Sequence, residues 1–437
     1  MNKEIILCYD ILSKVYFEKA YASIELNKVL NASVNKALVT KVVYGVLEQD
    51  IYLDFCVHSC VKKEPKPQIL LLLKMATYMS KNISGIPLYA LTNECVELAK
   101  KYADKYVAGF VNATIKNLSK TEFKLPNKSV DYAKYLSVKY SYPKWYVDYL
   151  LSVHDKGFVE SLLAFKPTTD THIRVIKQPN CDINTSTDEF VKNLEKFGIR
   201  YQKSALYFTM YVDYNKLLEY TELKDYYVVQ GLPSIITALS VGAEHNDKVL
   251  DCTSAPGGKA CLIAGLDNTI RVTACDLHIH RVALIKKYAS SLKLNNVIPL
   301  VADATKFDEK WQDTFDRVLC DVPCSGMGVV TKKPDILLNR SMSDVNELVG
   351  LQYQILCNNS KYVKHGGTLV YSTCSIIDKE NEGIIQKFLK SHSDFKLVSI
   401  DTHKINVSNN GNMYTFYPHL TQTEGFFIAK LERLWYY

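Results

Sequence analysis

The spacing of apolar positions divides the chain into three textures. Over residues 1–140 apolar residues recur at helical spacing: Leu91, Cys95, Leu98, Ala99 and Tyr102 form one stripe, preceded by a break at Ile86-Pro87. An all-helical first domain is predicted. Over 141–227 the periods mix. Tyr142-Pro143-Lys144-Trp145 opens a helix, THIRVIK (171–177) alternates as a strand, and Phe190, Leu194 and Phe197 share a helical face before the strand-like ALYFTMYVDY (205–214). Strand, helix and strand predict a small α+β module, in which Arg174 is a candidate phosphate or base contact or else a surface arginine with no special role. Over 228–437 apolar runs alternate with helical segments, as in a parallel sheet with crossover helices. The runs are VLD (249–251), RVTACD (271–276), VIPLVAD (297–303), FDRVLCD (315–321) and GTLVYSTC (367–374), with a late pair at 413–417 and 425–431.

Composition narrows the class. The 437 residues suit two or three domains, and 47% hydrophobic with 23% charged residues supports packed cores. The net charge of +7 hints at a polyanionic partner. From Lys100 to Lys144 there are ten lysines, no arginine and three acids (Asp104, Glu122, Asp131), interleaved with tyrosines 102, 106, 132, 135, 140 and 142. Either a solvated face or a phosphate-contacting surface with stacking partners for RNA fits this segment. The twelve cysteines include no CxxC pair, so neither a disulfide scaffold nor a zinc ribbon is indicated. Cys56, His58 and Cys60 alternate without a second ligand pair, and no metal is expected. The N-terminus lacks a signal-peptide core, and the aliphatic run Ile69 to Leu73 is far short of the roughly 20 residues that span a bilayer. A cytoplasmic protein without membrane contact is expected.

The chain is organised around VLDCTSAPGGK (249–259): a strand, an acid and a glycine-rich turn, with a helix expected to begin near Gly258 and to offer free N–H groups to a polar ligand. Four inferred strands end in aspartate, at Asp251, Asp276, Asp303 and Asp321. Each alone could cap a helix. Together they point into the crevice outside the carboxyl ends of the strands, where open α/β sheets bind ligands. Asp276 lies 25 residues beyond Asp251, near the offset of a ribose-binding acid, and Asp303 could accept from an adenine amino group. The turn lacks a Walker ending, so a nucleoside-like cofactor fits, with S-adenosylmethionine the natural candidate.

Two cysteines indicate the reaction: Cys324, in DVPCSG after the fourth strand, and Cys374, in STCS at the end of the fifth. Carbon 5 of cytosine is a poor nucleophile until a thiolate adds to carbon 6, so its methylation needs a nucleophilic cysteine, an acid at N3 and an unstacked base. Inert buried thiols or a redox pair are the other uses of two such cysteines.

Two resemblances extend this reading. Segments 36–54, 90–102 and 108–118 resemble the NusB-type antitermination fold, a helical bundle that binds RNA and ribosomal or transcription proteins. DCTSAPGGK (251–259), DVPCSGMG (321–328), YSTCSI (371–376), KENE (379–382) and the ending PH…TEGFFIAKL (418–431) resemble the Sun/Fmu RNA 5-methylcytosine methyltransferases. The family implies a Rossmann-like catalytic domain over 228–437 that uses S-adenosylmethionine. It implies Cys374 as nucleophile, Cys324 as the residue that assists product release, Asp321 as the base contact and Lys259 as an ordering residue. It also implies a cofactor held by Cys252, Thr253, Ser254, Ala255, Pro256, Gly257, Gly258 and Lys259 with Asp276, Asp303 and Asp321. With the NusB-like start, the whole chain resembles the branch that modifies a cytosine of 16S rRNA. The segment Gln230–Ser234 departs from the family's glutamine, acid and serines, and Cys252, Thr253 and Ser254 replace its usual aliphatic and alanine residues. A tRNA substrate, a DNA cytosine-C5 methyltransferase and a non-catalytic RNA-binding factor are the competing functions.

Overall fold

The computed structural model describes residues 2–29, 34–102 and 106–435; Asp104 and Lys105 of the lysine-rich segment lie outside them. The chain packs as two units, residues 1–165 with 330–342, and 166–329 with 343–437. Among the described residues no helix is long and apolar enough to cross a membrane.

The first unit is helical because its apolar residues fall on single helix faces. Leu91, Cys95, Leu98 and Ala99 of the helix Leu88–Tyr102 are buried, in one core with Tyr9, Val42, Leu72 and Val111; Tyr102, at the end of the predicted stripe, is exposed. The break expected at 140 is a buried turn. The helix Tyr132–Tyr140 ends at Ser141, whose backbone is left-handed (φ 61°) and whose hydroxyl accepts the N–H groups of Ile51 and Tyr52 at 2.9 and 3.3 Å. The chain then turns into the helices Lys144–Val153 and Lys156–Ala164, which pack on Tyr132–Tyr140.

The second unit carries two sheets. The smaller has β1 (Thr171–Val175), β2 (Tyr201–Lys203), β3 (Thr209–Val212) and β4 (Tyr227–Val229), antiparallel in the order β2-β3-β1-β4. Of the strand expected over 205–214 only β3 forms. Residues 204–209 close a hairpin turn instead, with Thr209 N–H donating to the Leu206 carbonyl at 2.9 Å. β4 joins this sheet, so the division at 227 falls within a sheet rather than between domains.

The larger sheet comprises β5 (Lys248–Asp251), β6 (Arg271–Asp276), β7 (Val297–Val301), β8 (Phe315–Asp321), β9 (Val363–Thr373), β10 (Phe395–Val398), β11 (Ser408–Asn409), β12 (Met413–Phe416) and β13 (Phe426–Arg433). Its order is β11-β12-β13-β9-β8-β5-β6-β7, with β10 beside β13. β5 to β9 run parallel and the late strands antiparallel. β5 and β8 are central and buried at Val249, Leu250, Val318, Leu319 and Cys320, as continuous apolar runs covered on both faces must be. The order reverses between β5 and β8, which opens a crevice at their carboxyl ends. Register fixes what faces it: Asp321 stands beside Ser372, and β13 brings Phe427 beside Thr373.

Candidate active site

The glycine-rich turn spans 252–257, and the helix after it begins at Gly258, as the sequence predicts. Gly257 adopts φ +105°, where a side chain is strained, and a Cβ there would stand 3.3 Å from Ile285. Ser254 N–H donates to the Cys275 carbonyl at 2.7 Å and Thr253 Oγ1 to the Asp321 carbonyl at 2.8 Å, so the turn is tied to β6 and β8. Asp251 lies beneath it, 1% exposed, and no donor closes a full hydrogen bond to either carboxylate oxygen, the Ser254 hydroxyl and Thr253 N–H being its polar neighbours. Burial pushes its pKa up to about 7. A cavity of about 640 Å³ opens beside the turn, lined by Cys252, Cys275, Ala302, Asp303, Phe307 and Trp311 among others.

Glycines that admit close approach, a helix N-terminus, a buried acid without a fully formed hydrogen bond and a cavity with an acid at its wall fit an adenosyl ligand with a charged tail. The four acids, however, divide. Asp303 lies two residues past β7 and accepts from Thr305 N–H and Oγ1 at 3.0 and 2.6 Å, which lowers its pKa. Asp276 accepts from His278 N–H at 3.3 Å and pairs with Arg281 at 3.5 Å. These two also satisfy local backbone, as aspartates after strands commonly do.

The reacting half is more tightly built. Asp321 receives Lys259 Nζ at 2.6 Å on one oxygen and Ser372 Oγ at 2.7 Å on the other. Burial opposes the charge on Lys259, but Asp321, Asp251 and Cys374 together outweigh it and raise its pKa. The sulfurs of Cys324 and Cys374, 50 residues apart in sequence, lie 3.0 Å apart. Hydrogen bonding to Cys374 and then burial hold the Cys324 thiol well above its ordinary pKa.

Residues that spacing did not single out complete this arrangement. Gly328 N–H donates to the Cys374 carbonyl at 2.9 Å, and Gly425 N–H to the Gly328 carbonyl at 2.8 Å, which joins both cysteine loops to the start of β13. Asn381 brackets Cys374: its Oδ1 accepts from Thr373 Oγ1 at 2.6 Å and its Nδ2 donates to the Ser375 carbonyl at 3.0 Å. Ser325, Asn381 and both glycines lie inside the quoted motifs, but nothing in a string shows which of a motif's residues touch.

Arg174, an apparent candidate for phosphate contact, is instead buried, with Nε donating to Gln230 Oε1 at 2.7 Å. The Gln230 amide in turn lies against Gly258, so the departing segment at 230 supports the glycine turn. In the first unit the lysine-tyrosine segment gathers into a cluster. Lys128 and Lys156 lie over Tyr132, Lys139 lies over Tyr135 and Tyr140, and Glu160 accepts from Lys139, Tyr132 and Tyr140.

Comparison with known proteins decides the class. The chain is 30% identical to a probable ribosomal RNA small subunit methyltransferase B of Bacillus subtilis over 98% of both chains. The chain belongs to the RsmB/F family of rRNA methyltransferases. The model of that family, 16S rRNA methyltransferase RsmB/F, matches residues 238–432, and the NusB family model matches 6–120. A 25S rRNA (cytosine-C(5))-methyltransferase of Schizosaccharomyces pombe, nop2, is 33% identical over 55% of this chain and 42% of its own. The crystal structure of PH0851 shares the fold, with TM-score 0.81 and 23% identity over 99% of both chains. The family is one of rRNA methyltransferases, and one of these relatives is named a cytosine-C(5)-methyltransferase. The paired cysteines, Lys259–Asp321 and the glycine turn lie at the carboxyl-end crevice of the larger sheet.

Proposed function

We propose that this enzyme methylates carbon 5 of a cytosine in 16S rRNA through a covalent bond between Cys374 and carbon 6 of the base. The observation that carries the mechanism is the placement of the Cys324 and Cys374 sulfurs 3.0 Å apart, with Cys374 within electrostatic reach of Lys259, which pairs with Asp321. The cofactor supplies an electrophilic methyl group, held by the turn 252–258 with Asp251, Asp276 and Asp303.

Lys259 places a positive charge near Cys374 and favours its thiolate. Asp321, oriented by Lys259 and Ser372, would meet N3 of the base and pass it a proton, which neutralises the negative charge that attack on carbon 6 puts into the ring. Attack of Cys374 sulfur on carbon 6 makes carbon 5 enamine-like, so that it can take a methyl group, the electron pair of the broken bond staying with the methyl donor. Loss of the carbon-5 proton to water and of the N3 proton back to Asp321 then lets the carbon–sulfur bond break, and its electron pair returns to Cys374. Cys324, in contact with Cys374, assists this release. The 16S assignment is supported by the relatives named small subunit methyltransferase B and by the NusB match over 6–120. The helical unit of residues 1–165 would deliver the RNA and the unit of residues 166–329 with 343–437 would perform the transfer, in the cytoplasm where rRNA is assembled.

The test is a denaturing-gel adduct assay with Cys324→Ala, S-adenosylmethionine and unmodified small-subunit rRNA or tRNA. A covalent band with rRNA, absent from Cys324→Ala/Cys374→Ala, is expected. A band with tRNA alone would overturn the ribosomal assignment and keep the chemistry, and a band that survives loss of Cys374 would overturn the nucleophile.

A further inference from the structure

Two loops that meet only through tertiary contact carry the cysteines, and a single buried carboxylate joins them. Glu380 is 0% exposed. Its Oε2 accepts from Ser325 Oγ at 2.5 Å and from Ser375 Oγ at 2.6 Å; Ser325 follows Cys324 and Ser375 follows Cys374. Its Oε1 accepts from Ser325 N–H at 2.8 Å and from Gln352 Nε2 at 2.9 Å. Gln352 also donates to the Pro323 carbonyl at 3.0 Å, on the other side of Cys324. Each serine oxygen is used further: Ser375 Oγ accepts Ile377 N–H at 3.1 Å, Ser325 Oγ accepts Met327 N–H at 3.4 Å, and the two hydroxyls lie 3.2 Å apart. The Tyr371 hydroxyl holds the Glu380 carbonyl at 2.6 Å.

Four donors converge on one group, which only an acceptor-only side chain of this length can satisfy. Burying such a group is costly unless every partner is in place, and here every partner belongs to the frame of one or both cysteines. Asn381, the next residue, touches only the Cys374 side. Glu380 takes donors from both loops at once, next to the direct contacts between them, Ser325 Oγ to Ser375 Oγ at 3.2 Å and Gly328 N–H to the Cys374 carbonyl at 2.9 Å.

We infer that Glu380 is a positioning residue that sets the separation of Cys324 and Cys374, and thereby the rate at which the covalent intermediate is resolved. This rests on the mechanism proposed above. Glu380 does not touch the base; its effect runs through Ser325 and Ser375. With the loops decoupled, Cys374 still attacks, but Cys324 no longer stands in contact with the sulfur that must leave, so the adduct persists.

The full-length enzyme is compared with Glu380→Gln, Ser325→Ala and, as reference, Cys324→Ala. The first readout needs no RNA. Diamide takes two electrons and two protons from the two thiols, becoming the hydrazine and leaving a Cys324–Cys374 disulfide, which peptide mass spectrometry quantifies. The disulfide forms at least about tenfold more slowly in Glu380→Gln and Ser325→Ala than in wild type, as expected of reacting atoms moved out of contact, with both variants folded by circular dichroism and binding S-adenosylmethionine as wild type does. Equal rates overturn the inference, as does slower formation accompanied by lost cofactor binding.

The second readout is the adduct gel: Glu380→Gln accumulates the RNA–protein band as Cys324→Ala does. A band in Cys324→Ala but not in Glu380→Gln overturns this inference and leaves the mechanism standing. No band in either removes the covalent mechanism and the inference with it. Should Glu380→Gln fail to fold, Ser325→Ala, which deletes one hydroxyl, decides by the same readouts.

Discussion

Gly328 and Gly425 approach so closely that a Cβ on Gly328 would lie 2.1 Å from the Gly425 carbonyl oxygen and 2.8 Å from that of Cys374. No side chain fits there, and both obstacles are backbone. Gly328→Ala is therefore expected to displace the Cys324 loop, cost about 1–3 kcal/mol of stability and reduce kcat by more than tenfold. Thermal melts together with single-turnover methylation check both effects; wild-type kcat in Gly328→Ala would refute the reading.

Lys259 contacts Asp321 at 2.6 Å, and its charge also reaches Cys374. Lys259→Met removes the positive charge that favours the thiolate, so the pKa of Cys374 rises and its alkylation by iodoacetamide at pH 7 slows. The measurement is the alkylation rate against pH in a Cys324→Ala background. An unchanged profile would dissociate Lys259 from nucleophile activation.

Asp251 gives the protein without cofactor a pH dependence of definite sign. Its folded pKa, about 7, lies above the ordinary aspartate value of 3.8, so the folded state binds more protons between these values. Its contribution to stability is full below the unfolded pKa and is lost as pH rises through about 7, an effect on the order of a few kcal/mol. Urea midpoints for wild type should fall over this range, and Asp251→Asn should flatten that fall while weakening S-adenosylmethionine binding. A parallel fall in both proteins would assign the dependence to other groups.

The cluster of Lys128, Lys139 and Lys156 on tyrosine faces offers cations held at fixed positions, as phosphate contacts require. Replacing all three by glutamine should weaken rRNA binding and reduce the slope of log K against log salt by about 2–3. Filter binding across a salt series measures this, and an unchanged slope would leave the cluster as a solvated face.

The sequence by itself determined a good deal. β6 and β8 have the bounds read from the string, and the helix at Gly258 begins where the glycine turn predicted, because local period and local turn chemistry specify both. The identities of Cys324, Cys374, Asp321 and Lys259 also stood out, since each occupies a strand end or turn inside a recognisable motif. Three-residue strands such as β2 and β4 were not legible, because so short a run has no period. The tyrosine-lysine cluster was visible as composition, but not its arrangement around Glu160.

What only the tertiary structure decided is which of these parts touch. The parallel pairing of β8 with β9 brings together cysteines 50 residues apart, and the antiparallel return of β13 sets Gly425 against Gly328. Burial then assigned roles that residue type could not. Asp251 and Glu380 are both buried carboxylates, yet one has no fully formed hydrogen bond on either oxygen and the other has four. Arg174 moved from expected surface contact to interior support for the same reason. A string carries period and residue chemistry, which act locally. The partners of a buried polar group are fixed only when the sheet order closes distances that sequence separation leaves open.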